Sequence, residues 1–439
     1  MIRHPILDQL ASVGVRLGLD NIRTFLTFLG EPHRAYPVIH VAGTNGKGSV
    51  CAFVTWVLKE AGYRVGTNLS PHLQAVNERI LVEGQPIDDA FLGDQIEALD
   101  RIRWDWARSV GFKQVPLTYF EFITTVAFAH FAQVGVDVAV MEVGMGGRLD
   151  ATNVVQPLVT AITHIGIDHS AELGSSVAKI AGEKAGIMKP GVPVVLGPMP
   201  AEAREVIERR ARVLNATAWR PGKELLRERR KSGWHLTTPA GSLRDAQLGL
   251  DGDHQGANAL VALGILHQLR YQGFHIPDEA IMRGFANVQL SGRLEEVLPG
   301  LIVDGAHNED GTRAVATWLR NRPRPESRIL LFGMGQGRDP VRAVTPLLPF
   351  VDEVVTTRCA HPKARDSLEL AMVLENVDAV LSDGGRIEEA LPEVYREAHE
   401  TLVIGSLFLA GAVKSLVSAG VLRGITPGQG PVSEDEPPE

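Results

Sequence analysis

The sequence predicts an α/β protein made of two mostly parallel sheets, each covered by helices. Short β-branched runs alternate with longer helical stretches along most of the chain, the pattern of strands joined by helical crossovers. The alternation runs in two series, and Pro299-Gly300 breaks the chain before the second begins. At 439 residues the chain is also longer than one hydrophobic core usually grows. The expected division is a first domain over 1–296 and a smaller second domain over 297–425. The stretch 426–439 carries Pro, Gly and acids with almost nothing apolar, and is expected to be disordered.

In the first series, strands are read at Val38–Val41, Arg64–Asn68, Asp137–Val143, Leu158–His164 and Val192–Leu196. Helices fill the gaps at Val50–Ala61, Tyr119–Gln133, Ser176–Gly186 and Ala201–Asn215. Thr118 followed by Glu121 resembles a capping box, opening a helix so apolar that it should be buried. Over residues 217–250 the pattern turns short, polar and glycine-punctuated, which indicates a small antiparallel excursion. Its run Arg227-Glu228-Arg229-Arg230-Lys231 reads as a solvated face. Helices return at Gln255–Leu269 and Asp278–Asn287. The second series has strands at Leu301–Asp304, Arg328–Phe332, Glu353–Thr357, Ala379–Ser382 and Thr401–Ile404. Its helices are Thr312–Asn321, Arg342–Leu348, Leu368–Leu374, Ile387–His399 and Leu407–Ser418, a Rossmann-like pattern.

Composition narrows the classes of function. Hydrophobic residues make up 44% and charged residues 22%, as in ordinary globular proteins. A net charge of −8 argues against nucleic acid or an anionic membrane as the main partner. Cys51 and Cys359 lie far apart in sequence, which fits a reducing compartment and no disulfide framework. Neither belongs to a Cys/His pattern of the kind that holds zinc. The N-terminal residues lack the apolar stretch of a signal peptide, and no run is long and apolar enough to span a bilayer. A cytoplasmic monomer is expected.

The most informative stretch is Gly43-Thr44-Asn45-Gly46-Lys47-Gly48-Ser49, between the run Val38-Ile39-His40-Val41 and a helix-like segment. Glycines there let the backbone approach a polyphosphate and turn its N–H groups inward. The helix N-terminus adds a favourable dipole. Lys47 supplies a point charge for the outer phosphates and Ser49 a hydroxyl for a magnesium ion. The strict pattern G-x-x-x-x-G-K-[ST] needs Gly where Val41 stands and Ser or Thr where Gly48 stands, so this is a P-loop variant. An ordinary glycine-rich turn would not explain a lysine in that place. The fold class is thus a P-loop ATPase-type, mostly parallel domain followed by a Rossmann-like α/β domain.

Ligands of open α/β sheets bind outside the carboxyl ends of the strands, and other polar residues fall there. Glu142 closes the run Asp137–Met141, where a carboxylate facing the loop suits a hard cation; a salt bridge to a helix is the alternative. His169, beside Asp168, follows the next strand and reads equally as a ligand or as a packed histidine. Ser70-Pro71-His72 follows another strand and alone would count as a turn. Lys184 reads locally as a solvated lysine near a helix end. Asp304-Gly305-Ala306-His307-Asn308 would either touch a nucleotide or form an Asx-type turn.

Together these clusters resemble the folylpolyglutamate synthase/dihydrofolate synthase family within the Mur-ligase superfamily. The matching stretches are His40–Ser49, Ser70–Leu73 with Asn77–Ile80, Phe120–Phe122, Glu142–Asn153, Ile165–His169 and Glu183–Ile187. Further on come His254-Gln255 with Asn258-Ala259, Ser291–Glu295 and Asp304–Asn308, so the likeness runs from His40 to Leu407. The resemblance implies an ATP-dependent amide ligase. ATP would phosphorylate a carboxylate of dihydropteroate or a reduced folate, and the amino group of L-glutamate would attack the acyl phosphate. By matching motif, Lys47 and the loop Gly43–Ser49 hold ATP. Ser49, Ser70 and Glu142 bind one Mg2+, and His169 with Glu142 a second. Lys184 matches a lysine that becomes carbamylated beside the second ion. Asn258, Arg293, Asp304 and His307 match nucleotide or reaction-centre positions. Arg79, Phe120 and Asp150 fall on the pterin side, with Ser70–Leu81 as an Ω-loop, and Ser406 on the glutamate side. Ser170 stands where the family leads one to expect threonine.

Two competing readings have sequence consequences. A Mur-type ligase acting on a nucleotide-linked, non-folate carboxylate would carry an extra N-terminal domain, for which Met1–Ala42 leaves no room. A non-catalytic P-loop module predicts an Asn-Lys-x-Asp motif or a single domain, and would leave Glu142 and His169 without a role.

Overall fold

The structure is a computed structural model and describes residues 4–14, 16, 18–112, 115–168, 170–396 and 399–422. The segment 426–439, expected to be disordered, and His169 lie outside the described residues. The chain forms two compact units that divide between Leu290 and Ser291.

The first unit is organised by an eight-stranded sheet. Its strands are β1 (Val38–Ala42), β2 (Val65–Asn68), β3 (Ile80–Val82), β4 (Gln85–Pro86), β5 (Val138–Glu142), β6 (Val159–Ile162), β7 (Val194–Leu196) and β8 (Ala218–Trp219). Their order is β4-β3-β2-β5-β1-β6-β7-β8. From β2 to β8 all pairings are parallel; β3 and β4 add an antiparallel edge. Strands β1 and β5 are buried at every position, as runs sandwiched between helices on both faces should be. On one face the helix Lys47–Glu60 packs with His254–Tyr271 and Asp278–Asn287, and Phe53 meets Phe285 edge-on at 5.2 Å. On the other face lies Tyr119–Val134, opened as expected by a Thr118/Glu121 capping box.

Four α-helices among the described residues go beyond the predicted elements: Pro5–Ala11, Asp20–Phe28, Asp89–Ser109 and the short Ser170–Leu173. The longest starts where the Asp88 carboxylate accepts from the Phe91 amide at 3.0 Å. It buries Leu92, Ile96, Leu99, Arg103 and Trp106 at helical spacing. Arg103 is fully buried, donating to the Pro116 carbonyl and pairing with Asp100. The 217–250 excursion resolves into β8, which joins the main sheet, and a separate antiparallel sheet of β9 (Leu226–Arg230), β10 (Gly233–Thr238) and β11 (Gly241–Ala246). Strand β9 is exposed throughout, a solvated face as its charges imply.

The second unit holds β12 (Glu295–Leu298), β13 (Leu301–Asp304), β14 (Arg328–Phe332), β15 (Glu353–Arg358), β16 (Val380–Arg386) and β17 (Glu400–Ile404). Their order is β12-β13-β17-β14-β15-β16, parallel except for β12. Here the expected boundary at 296/297 is corrected to 290/291. Pro299-Gly300 is the turn of the β12–β13 hairpin, and the chain crosses between units before β12 begins. The helix expected to reach His399 ends at Val394.

Candidate active site

The carboxyl ends of β1, β2, β5 and β6 lie side by side and carry the phosphate loop, the 70–79 loop, Glu142 and Thr163. Gly43 and Gly46 hold left-handed φ values of 155° and 87°, and side chains press on both. A Cβ on Gly43 would lie 1.8 Å from Thr163 Oγ1, and one on Gly46 2.4 Å from Asn258 Oδ1. Glycine is required at both places for conformation and for space. The loop is also bonded to β6: Thr44 N–H donates to the His164 carbonyl at 2.7 Å, and Thr163 Oγ1 donates to the Asn45 carbonyl at 2.7 Å. The helix begins at Lys47, whose Nζ donates to the Thr44 carbonyl at 3.3 Å and so curls back over the loop. Ser49 is buried in that first turn.

Glu142 is buried at the end of β5. Its Oε2 accepts from the Ser70 amide at 2.9 Å and lies 3.8 Å from where a Gly48 Cβ would stand. The helix start thus passes the Glu142 carboxylate at about van der Waals distance. Ser70 Oγ is buried and lacks a hydrogen-bond partner among the described residues. Two hydroxyls and a carboxylate at one loop end are hard oxygen donors of the kind magnesium takes. Among the described residues no group of three or more His, Cys, Asp or Glu side chains converges on a metal position.

Lys184 departs from its local reading. It is buried, with 4% of its surface exposed, and its Nζ donates to the Gly43 carbonyl at 2.8 Å. Burial, reinforced by the Lys47 charge, lowers its pKa to about 7. Its helix, Val177–Ala185, is anchored to the loop after β5 because Arg148 N–H donates to the Glu183 carbonyl at 2.8 Å. A Cβ on Gly186 would fall 2.5 Å from the Arg148 Cα, so the two segments touch backbone to backbone.

Asp150 organises the same loop. Its Oδ2 accepts from the Met145 amide at 2.8 Å, and its Oδ1 accepts from both the amide and the hydroxyl of Thr152. Thr152 in turn accepts from His40 Nε2 at 2.8 Å, which ties this loop to β1. The structure thus gives Asp150 a positioning contact for each oxygen. Arg79 is buried, stacks over Tyr119 at 5.5 Å and donates to His72 Nδ1 at 2.9 Å. Phe120 packs against Gly144, where a Cβ would lie 2.4 Å from its ring. Glu78 was missed as an individual residue in the sequence. Its carboxylate accepts from the amides of Leu73, Gln74 and Ala75 and shapes the 70–79 loop. Thr163 was missed too, although its place just after a strand beside β1 is the signal that marks such residues.

In the second unit, Asp304 closes β13. Its Oδ1 accepts from the Ala306 amide at 2.7 Å, an Asx turn, while Oδ2 accepts from the Leu294 amide at 2.8 Å. His307 Nδ1 meets the Gly305 carbonyl at 2.7 Å, and Arg293 lies over Gly305, 2.6 Å from where a Cβ would stand. Ser406 follows β17 and caps the helix Leu407–Ser418 by accepting from the Phe408 amide at 3.2 Å.

A phosphate loop on a parallel sheet, a buried lysine and carboxylate beside it, and a Rossmann-like second unit define a Mur-type ATP-dependent ligase. Consistent with this, the model of the Mur ligase middle domain matches residues 107–266, and that of the Mur ligase glutamate ligase domain matches 292–407. The dihydrofolate synthase/folylpolyglutamate synthase of Bacillus subtilis is 37% identical over 334 residues, 70% of this chain and 73% of that protein. Folylpolyglutamate synthase of Mycobacterium tuberculosis, solved with ADP and AMPPCP, superposes with a TM-score of 0.85 at 32% identity, covering 93% of this chain and 97% of that one. The bifunctional enzyme of Yersinia pestis, solved with AMPPNP and a Mn ion, gives 0.82 at 30% identity, covering 94% and 96%. The chain belongs to the folylpolyglutamate synthase/dihydrofolate synthase family.

Proposed function

We propose that this ligase adds L-glutamate both to dihydropteroate and to the glutamate tail of reduced folates, through an acyl-phosphate intermediate. The observation that carries the chemistry is the phosphate loop. It is held open by Gly43 and Gly46 against Thr163 and Asn258, with Lys47, Glu142 and Lys184 at its rim. Phosphoryl transfer asks for positioning and charge neutralisation more than for covalent help. Loop amides and Lys47 would hold the β- and γ-phosphates. Ser49, Ser70 and Glu142 would hold one magnesium ion, and His169 with Glu142 a second. When bound, such ions neutralise the phosphate charge that repels the incoming carboxylate.

Carbamylation of Lys184 would place a carboxylate at the second ion, and its burial against Gly43 supports that reading. Arg293, Asp304, His307 and Asn258 are read as nucleotide and reaction-centre contacts. Arg79 and Phe120 are read as the wall of the pterin side, and Ser406 as a glutamate contact. Asp150 acts on that side through the 144–152 loop. The two buried free cysteines fit a reducing, cytoplasmic compartment, and the protein is read as a monomer.

The deciding experiment supplies purified protein with ATP, magnesium and L-glutamate, then dihydropteroate or a reduced folate in separate reactions. Phosphate release with both acceptors is expected. Release with only one removes the bifunctional claim, and release with neither removes the folate reading.

A further inference from the structure

The segment that opens the second unit, Ser291-Gly292-Arg293-Leu294-Glu295, is fastened to the rest of that unit by a set of polar contacts centred on Lys414. Lys414 lies on the helix Leu407–Ser418; its Nζ donates to Ser291 Oγ at 2.7 Å and to Glu295 Oε1 at 2.5 Å. The other oxygen of Glu295 accepts from the Gly292 amide at 2.7 Å. The Gly292 carbonyl accepts from the Gly305 amide at 2.9 Å, and the Leu294 amide donates to Asp304 Oδ2 at 2.8 Å. Within this frame Gly292 has φ 71° and Leu294 φ 46°. For leucine that left-handed conformation is unfavourable and persists only where its surroundings impose it. Between these two positive-φ residues stands Arg293, laid over Gly305.

We propose that Lys414 is a positioning residue for nucleotide binding. Through Ser291 and Glu295 it holds the 291–295 segment in its strained form, and so fixes where Arg293 and the Asp304 carboxylate point. The proposal rests on the nucleotide role given to Arg293 and Asp304 above. Lys414 is partly buried, with 21% of its side chain exposed, so its ion pair is sheltered from the screening that makes surface pairs weak.

Lys414→Met keeps the aliphatic stem and removes the ammonium. Its KM for ATP should rise on the order of tenfold, with kcat and the KM for L-glutamate changed much less. Lys414→Arg should restore most of the loss. A readout independent of turnover is tryptic cleavage after Arg293, followed by mass spectrometry of the fragment that ends there. The bond should be cut several times faster in Lys414→Met than in the parent protein. Glu295→Gln, which keeps an acceptor for the Gly292 amide but loses the charge, should move both readouts in the same direction if the methionine variant does not fold. Unchanged cleavage together with an unchanged KM for ATP overturns the proposal. An equal loss towards ATP and glutamate also overturns it. A parent protein that turns over ATP without any folate acceptor requirement would instead count against the folate reading and leave the cleavage test intact.

Discussion

Lys184 Nζ donates to the carbonyl of Gly43 at 2.8 Å, although the two residues are 141 positions apart. This contact joins the first glycine of the phosphate loop to a helix that the sequence shows as an ordinary amphipathic segment. It places the Lys184 amine against the loop rather than in solvent. Lys184→Ala should therefore lose nearly all turnover while the fold survives, because the helix Val177–Ala185 remains anchored through Arg148 and Glu183. If the working group is a carbamate, added acetate or formate should restore part of the activity of the alanine variant. Phosphate release measured with and without the carboxylate checks this, and an alanine variant as active as the parent excludes a role for Lys184.

Lys47→Ala should abolish turnover and leave the circular dichroism spectrum unchanged. The side chain curls over the loop, where its Nζ donates to the Thr44 carbonyl at 3.3 Å, so little packing depends on it. Full activity in that variant would refute the phosphate role.

Gly46→Ala tests the loop in a different way. The added methyl would stand 2.4 Å from Asn258 Oδ1 at a φ of 87°, so both conformation and space oppose it. We expect a loss of about 1–3 kcal/mol in urea unfolding, together with loss of binding in a fluorescent ATP-analogue titration. An alanine variant with parental stability would show that Asn258 and the loop can separate at no cost.

The sequence made the parallel strands legible because β1, β5 and β6 are short runs rich in β-branched residues and buried at every position, and that pattern needs no tertiary knowledge. It made the phosphate loop legible because a lysine among glycines between strand and helix has few other uses. Asp89–Ser109 was hidden because a fully buried arginine, Arg103, sits on its apolar stripe and breaks the hydrophobic period. Lys184 was hidden because its partner is a backbone carbonyl remote in sequence, which no local pattern announces. The boundary was read late because Pro299-Gly300 marks a hairpin turn as readily as a linker, and the pairing of β12 with β13 decides between them. Asp304 shows a third limit. Its Asx turn is local and readable, whereas its second contact, to Leu294, depends on the β12–β13 pairing.

His267 provides a prediction about pH. It is buried within the helix His254–Tyr271, where Nδ1 meets Thr238 Oγ1 at 2.6 Å and Nε2 faces Arg270 Nη1 at 3.2 Å. The guanidinium can only donate, so Nε2 is the acceptor and Nδ1 carries the proton. Burial first, and the Arg270 charge second, lower its pKa to about 4, with Asp278 acting in the opposite direction. The folded protein thus resists a proton that the unfolded chain takes up near pH 6.5. Stability from this group is fully present above pH 6.5, falls as pH drops towards 4, and falls no further below that. The full effect is worth about 3 kcal/mol. Urea unfolding of the parent protein at pH 7.0 and 4.5 should show that decline, and His267→Gln should show a smaller one because its side chain takes up no proton. Equal pH slopes in the two proteins would mean that other groups, not His267, govern acid sensitivity.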